Sequence, residues 1–160
     1  MSSAPPLQLL QSAVAAYRAG DWASARARLD EAVAGGAAND ADAWALLAMS
    51  CLRLGDLDAA ETASDRALVL NAQSLRGALA KADVLAARGS HREASIYFNA
   101  VVRLADGRPS LPPDLAEGLK RAHAARERVA SGMQGMVARS LEAAGYAEGR
   151  SDRRLTHALD

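Results

Sequence analysis

With 160 residues and 19 basic against 19 acidic side chains, the chain has no net charge, so no global field draws it to nucleic acid or an anionic membrane. Its length suits one domain with its own core. Half of the residues are hydrophobic, but 39 are alanine and only 4% are aromatic, a mixture that favours closely packed helices over a sheet.

The N-terminus, Met1-Ser2-Ser3-Ala4-Pro5-Pro6, lacks the basic and apolar regions of a secretory signal. No apolar run reaches the ~20 residues of a membrane span, so a soluble cytoplasmic protein without membrane or nucleic-acid partners is expected. Helical periodicity starts at residue 7. Stretches 7–18 and 22–34 flank Gly20-Asp21, 42–54 and 57–70 flank Gly55-Asp56, and 75–88 and 91–104 flank Gly89-Ser90. The strings Gly20-Asp21-Trp22-Ala23-Ser24-Ala25, Gly55-Asp56-Leu57-Asp58-Ala59-Ala60 and Gly89-Ser90-His91-Arg92-Glu93-Ala94 have glycines 35 and 34 residues apart. A fixed period of this size means stacked copies of one supersecondary unit.

With each glycine as the fifteenth position, the units run 6–39, 41–74 and 75–108, leaving Asp40 as one extra residue. In the second unit Trp44, Leu47, Ala48 and Cys51 follow i, i+3, i+4, i+7 spacing, one face of a helix. Cys51, the single cysteine, is therefore expected as a buried, inert thiol, and its solitude excludes an intrachain disulfide. Gly55 supplies the left-handed residue that ends this helix, and Asp56 caps the next. Ala60 and Ala67 sit where the paired helices cross closely. Ala82, Leu85, Gly89, Ala94 and Phe98 repeat the scheme in the third unit.

A Pro-rich break covers 109–113, and a long amphipathic helix is expected over 114–144. Its apolar face carries Leu115, Leu119, Ala122, Val129, Met133, Met136, Val137 and Leu141, and the opposite face Lys120, Arg121, Arg126, Arg128 and Arg139. Asp114 adds favourable charge to the first turn, whereas Gly132 and Gly135 weaken the helix. The ends of a repeat stack expose apolar surface and need a cap, the first role for this helix. Filling the groove, binding a partner freely, or self-association into a homodimer are the alternatives. Residues 145–160 read as a linker and a helix begun at Arg153-Arg154-Leu155-Thr156-His157-Ala158-Leu159 and cut short at Asp160, which suggests part of a longer protein.

The repeat resembles the tetratricopeptide repeat, a helix–turn–helix unit of 34 residues. The matching residues are Ala13, Gly20, Asp21, Trp22, Ala25 and Ala32; Trp44, Leu47, Gly55, Ala60 and Ala67; and Ala82, Gly89, Ala94 and Phe98. Lys81 stands where leucine is usual, Ser64 where an aromatic is usual, and no copy has the closing proline. The resemblance implies an all-α, right-handed superhelical stack of three units with a C-terminal capping helix. It also implies a concave face from the first helix of each unit: Leu7, Leu10, Gln11, Val14, Tyr17 and Arg18, then Asp42, Ala45, Leu46, Met49, Leu52 and Arg53, then Arg76, Leu79, Ala80, Asp83, Ala86 and Ala87.

Within that face Leu10, Val14, Tyr17, Arg18, Leu46, Met49, Leu52, Arg53, Arg76, Leu79 and Asp83 are the candidate binding groove for a protein or peptide. Repeats that grip a terminal carboxylate place Lys, Asn and Arg at fixed groove positions. Here Leu10, Val14, Leu46 and Ala80 fill the equivalent places and only Arg76 fits, so an apolar helix face is the expected ligand. The order of repeats, Leu111-Pro112-Pro113-Asp114-Leu115 break, long helix and residues 153–160 is also similar to the N-terminal region of bacterial aspartyl/asparaginyl β-hydroxylase-like oxygenases. That resemblance implies an interaction or substrate-presenting arm, with a 2-oxoglutarate- and iron-dependent domain beyond residue 160. The chain itself shows no catalytic constellation: His91, His123 and His157 form no His-x-Asp pair, and no phosphate-binding glycine loop or cofactor signature is present.

Overall fold

A computed structural model describes residues 6–145. Among them lie seven α-helices: α1 (Pro6–Arg18), α2 (Trp22–Ala34), α3 (Ala41–Arg53), α4 (Leu57–Leu70), α5 (Leu75–Ala87), α6 (His91–Ala105) and α7 (Pro113–Ala143). The expected helix begun at 153, with His157 and Asp160, lies outside the described residues, as do residues 1–5. The described residues fall into two units, divided between His123 and Ala124.

In the first unit, three helix hairpins stack in order. The partners within hairpins are α1 with α2, α3 with α4 and α5 with α6; α2 then packs on α3, and α4 on α5. The first helices α1, α3 and α5 also touch in sequence and form one side of the stack.

The turn chemistry explains the hairpins. Gly20, Gly55 and Gly89 have φ of 75°, 81° and 82°, where a side chain is strained. With that conformation the N–H groups of Asp21, Asp56 and Ser90 reach back to the carbonyls of Ala16, Cys51 and Leu85 at 2.9, 3.0 and 2.9 Å. Each such bond satisfies a carbonyl left open at a helix end. Asp21 and Asp56 then cap α2 and α4, accepting from the N–H groups of Ser24 and Ala59 at 3.2 Å. The extra residue Asp40 has the same use: its carboxylate accepts from Asp42 N and Ala43 N at the start of α3.

The core is built from small residues at the crossings. Ala25, Ala60 and Ala67 are fully buried, and Leu29, Leu79, Val84 and Val101 are among the largest fully buried side chains. Cys51 is buried as expected, and burial pushes its thiol pKa up, away from the reactive thiolate. Lys81 and Ser64, the two departures from the repeat pattern, also lie in the core. The Ser64 hydroxyl donates to the Glu61 carbonyl, while the Lys81 ammonium reaches Glu61 and Asp65 at 3.0 and 2.8 Å.

The start of α7 packs on the third hairpin. Pro113 occupies its first position, where a missing N–H costs nothing. Gly118 lies against the side chain of Leu79, and Leu115 and Ala122 are buried. Residues 113–123 thus cap the repeats. In the second unit, residues 124–143 continue as helix through Gly132 and Gly135 without a break. Val129, Met133, Met136, Val137 and Leu141 are exposed there.

A candidate ligand groove

The first helices bring their apolar faces to one concavity. Val14, Tyr17 and Arg18 of α1, Asp42 and Leu46 of α3, and Arg76 of α5 line a cavity of about 800 Å³ together with Trp22, Pro112, Pro113 and Asp114. That volume lies within the usual range of ligand pockets. A smaller cavity of about 380 Å³ is lined by Met49, Leu52, Arg53, Asp83 and Arg121.

A cluster around Asp114 forms one wall of the larger cavity. Tyr17 Oη donates to Asp114 Oδ2 at 2.8 Å, linking α1 to a residue 97 positions further along the chain. Arg76 donates to the same carboxylate through Nε at 3.2 Å and Nη2 at 3.0 Å. This fork geometry is the stronger, charge-assisted form of hydrogen bond. Burial pushes the Tyr17 phenol pKa well above its ordinary value, and the Asp114 charge adds to that, so Tyr17 stays a neutral donor. One helical turn plus a few residues along α7, Arg121 grips Asp83 in the same way, at 3.2 and 2.7 Å.

At the α1–α2 turn the rings of Tyr17 and Trp22 meet edge to face, with centroids 5.3 Å apart. Arg53 of α3 lies over the Trp22 ring, 5.4 Å from its centroid.

Of the groove residues expected from sequence, Val14, Tyr17, Arg18, Leu46 and Arg76 share the larger cavity, and Met49, Leu52, Arg53 and Asp83 the smaller. Leu10 is half-buried and lines neither. Leu79 is fully buried beneath α7 and presents no surface to a ligand. Arg76 and Asp83 are engaged by Asp114 and Arg121, so neither is an unpaired groove charge. Sequence reasoning missed Trp22, because it belongs to a second helix, and missed the part played by Pro112, Pro113, Asp114 and Arg121. Gly118 was the available signal: a glycine inside a helix marks a place where another side chain comes close. Among the described residues no three His, Cys, Asp or Glu side chains are grouped to hold a metal ion, and no helix is long and apolar enough to cross a membrane.

The architecture is an all-α stack of helix hairpins with a concave cavity on the side of the first helices. Its fold is that of tetratricopeptide-repeat proteins, as three solved structures show. The Yersinia enterocolitica type III secretion chaperone SycD, in complex with a peptide of the translocator YopD, matches with a TM-score of 0.68 at 19% identity, over 82% of this chain and 97% of that one. The tetratricopeptide-repeat domain of Arabidopsis OM64 matches with a TM-score of 0.61 at 18% identity, over 74% and 94%. The first such domain of Spaghetti (RPAP3), bound to the HSP90 peptide SRMEEVD, matches with a TM-score of 0.64 at 15% identity, over 78% and 95%. No protein-family model and no curated protein matches the sequence.

Proposed function

We propose that this chain is a non-catalytic scaffold that holds a peptide segment of a partner protein in its larger concave cavity. The observation that carries this reading is the cavity itself: about 800 Å³, lined by Val14, Leu46, Tyr17, Trp22 and two prolines together with Arg18, Asp42, Arg76 and Asp114. Two of the structures with the same fold, those of SycD and Spaghetti, hold peptides. Selection from a phage-displayed peptide library, followed by calorimetry on the selected peptides, tests the reading. Val14→Asp places a charge in the cavity at a half-buried position and is expected to weaken binding at least tenfold, about 1.4 kcal/mol, with circular dichroism unchanged. Selected peptides that bind the folded variant as tightly as the parent would remove the cavity from consideration.

Self-association is a second reading, favoured by the exposed Val129, Met133, Met136, Val137 and Leu141 on one helix. It predicts a dimer mass in light scattering that falls to the monomer in Met133→Glu.

A further inference from the structure

The larger cavity has a direction. Across the two concave cavities stand four arginines, Arg18, Arg53, Arg76 and Arg121, and three aspartates, Asp42, Asp83 and Asp114. The start of α7 neutralises four of these seven: Asp114 takes Arg76 and Arg121 takes Asp83, each through two nitrogens of the guanidinium. Among the described residues Arg18, Arg53 and Asp42 have no ion-pair partner, and all three are exposed.

These three charges are not mixed. Arg18 and Arg53 close the last turns of α1 and α3, and both stand by Trp22: Arg18 shares its cavity, and Arg53 covers its ring. Asp42 lies in the first turn of α3. At 1.5 Å per residue, Asp42 and Arg53 are separated by roughly 16 Å along that helix, beyond a Debye length at physiological salt. Apolar walls of Val14 and Leu46 lie in the same cavity. An extended peptide covers roughly 16 Å in about five residues.

We infer that the occupant is a segment with an acidic side chain at one end and bulky aliphatic side chains after it, its carboxylate at the Trp22 end beside Arg18 and Arg53. The inference rests on the scaffold reading above and adds the chemistry of the partner. A carboxylate there meets two guanidiniums that, among the described residues, no carboxylate of the chain pairs. The same carboxylate at the other end meets Asp42 and is repelled.

An array of nonapeptides, N-acetylated and C-amidated so that no terminal charge remains, tests this with the full chain as probe. Two leucines are fixed, and Glu, Gln or Lys is scanned through the other positions. Peptides with Glu at one end are expected to bind about tenfold more tightly than those with Lys there, a preference that shrinks as salt rises. In the Arg18→Gln/Arg53→Gln double variant, with the fold checked by circular dichroism, the ratio of Glu-peptide to Lys-peptide binding is expected to fall to about one; a ratio unchanged from the parent also overturns the inference. Equal binding of the Glu, Gln and Lys peptides, all weakened by Val14→Asp, overturns this inference and leaves the scaffold standing. A preference for Lys at every position also overturns it. Failure of any peptide to be retained overturns both.

Discussion

Lys81 is 8% exposed and charged, in a core position where the repeat pattern calls for leucine. Its stem occupies apolar space while its ammonium reaches Glu61 and Asp65, on the helix where Ser64 replaces the usual aromatic. The two departures meet at Glu61, to whose carbonyl Ser64 donates and whose carboxylate accepts from Lys81. Removing the whole side chain in Lys81→Ala loses packing and ion pairs and is expected to cost about 1–2 kcal/mol in urea denaturation. Lys81→Met keeps the stem and is expected to cost less. The hydrogen bond from Lys81 holds the Glu61 carboxyl below its ordinary value of 4.5, with burial opposing and Arg88 adding. A depressed carboxyl stabilises the fold above its ordinary value, and the contribution is lost as pH falls through the folded-state value. The gap in melting temperature between the parent and Lys81→Met is therefore expected to narrow as pH drops from 6 to 3. For Lys81 itself, burial lowers the pKa, but the bonds to Asp65 and Glu61 outweigh it and raise it. That contribution is present below the ordinary lysine range and fades only above it.

Among the elements, α7 separates what a sequence pattern can and cannot give. Its extent was legible: apolar spacing and the prolines before it predict 114–144, and the helix runs Pro113–Ala143. The six shorter helices are likewise placed within a residue or two of their expected ends, because glycine and aspartate mark those ends chemically. Periodicity also identifies the face a residue lies on. It says nothing of what covers that face: the pattern puts Leu79 in the groove lining, whereas Gly118 of α7 lies directly against it. Two glycines of this one helix should respond oppositely to alanine. At Gly118 the new methyl would meet Leu79 Cγ at 3.0 Å and both its δ-carbons more closely, and Leu79 is fully buried with nowhere to retreat. Gly118→Ala is expected to destabilise the repeats by about 1–3 kcal/mol. At Gly132 nothing lies within 4 Å, so Gly132→Ala is expected to gain up to about 1 kcal/mol of helix stability, read as increased ellipticity. The opposite signs, or equal effects, would contradict the close packing described for the start of α7.

At the scale of the repeat unit as a whole, the Tyr17–Asp114 bond is the unusual feature. In an ordinary stack each repeat touches only its neighbours, and the terminal repeat frays independently. Here the first repeat is tied to the cap of the third, with Arg76 sharing the same carboxylate. Tyr17→Phe removes only the hydroxyl, keeping the ring against Trp22 and the Arg76–Asp114 pair. Amide hydrogens of α1 are expected to exchange about fivefold faster in this variant, equivalent to about 1 kcal/mol, with little change in α3 and α4. Uniform acceleration across all helices, or none, would show that the bond is local only. The sequence held no clue to it: a tyrosine and an aspartate 97 residues apart share no pattern, and each has an adequate local reading as groove lining or first-turn charge.

That bond has a bearing on how such an array evolves. Repeat proteins commonly lengthen by duplication of an internal unit, each new copy moving the ends apart by one fixed step. A phenol that must meet a carboxylate at 2.8 Å across three units cannot tolerate a fourth between them. The contact therefore acts as a counter of units, selecting against duplication here and leaving new material to be added outside residues 6–123.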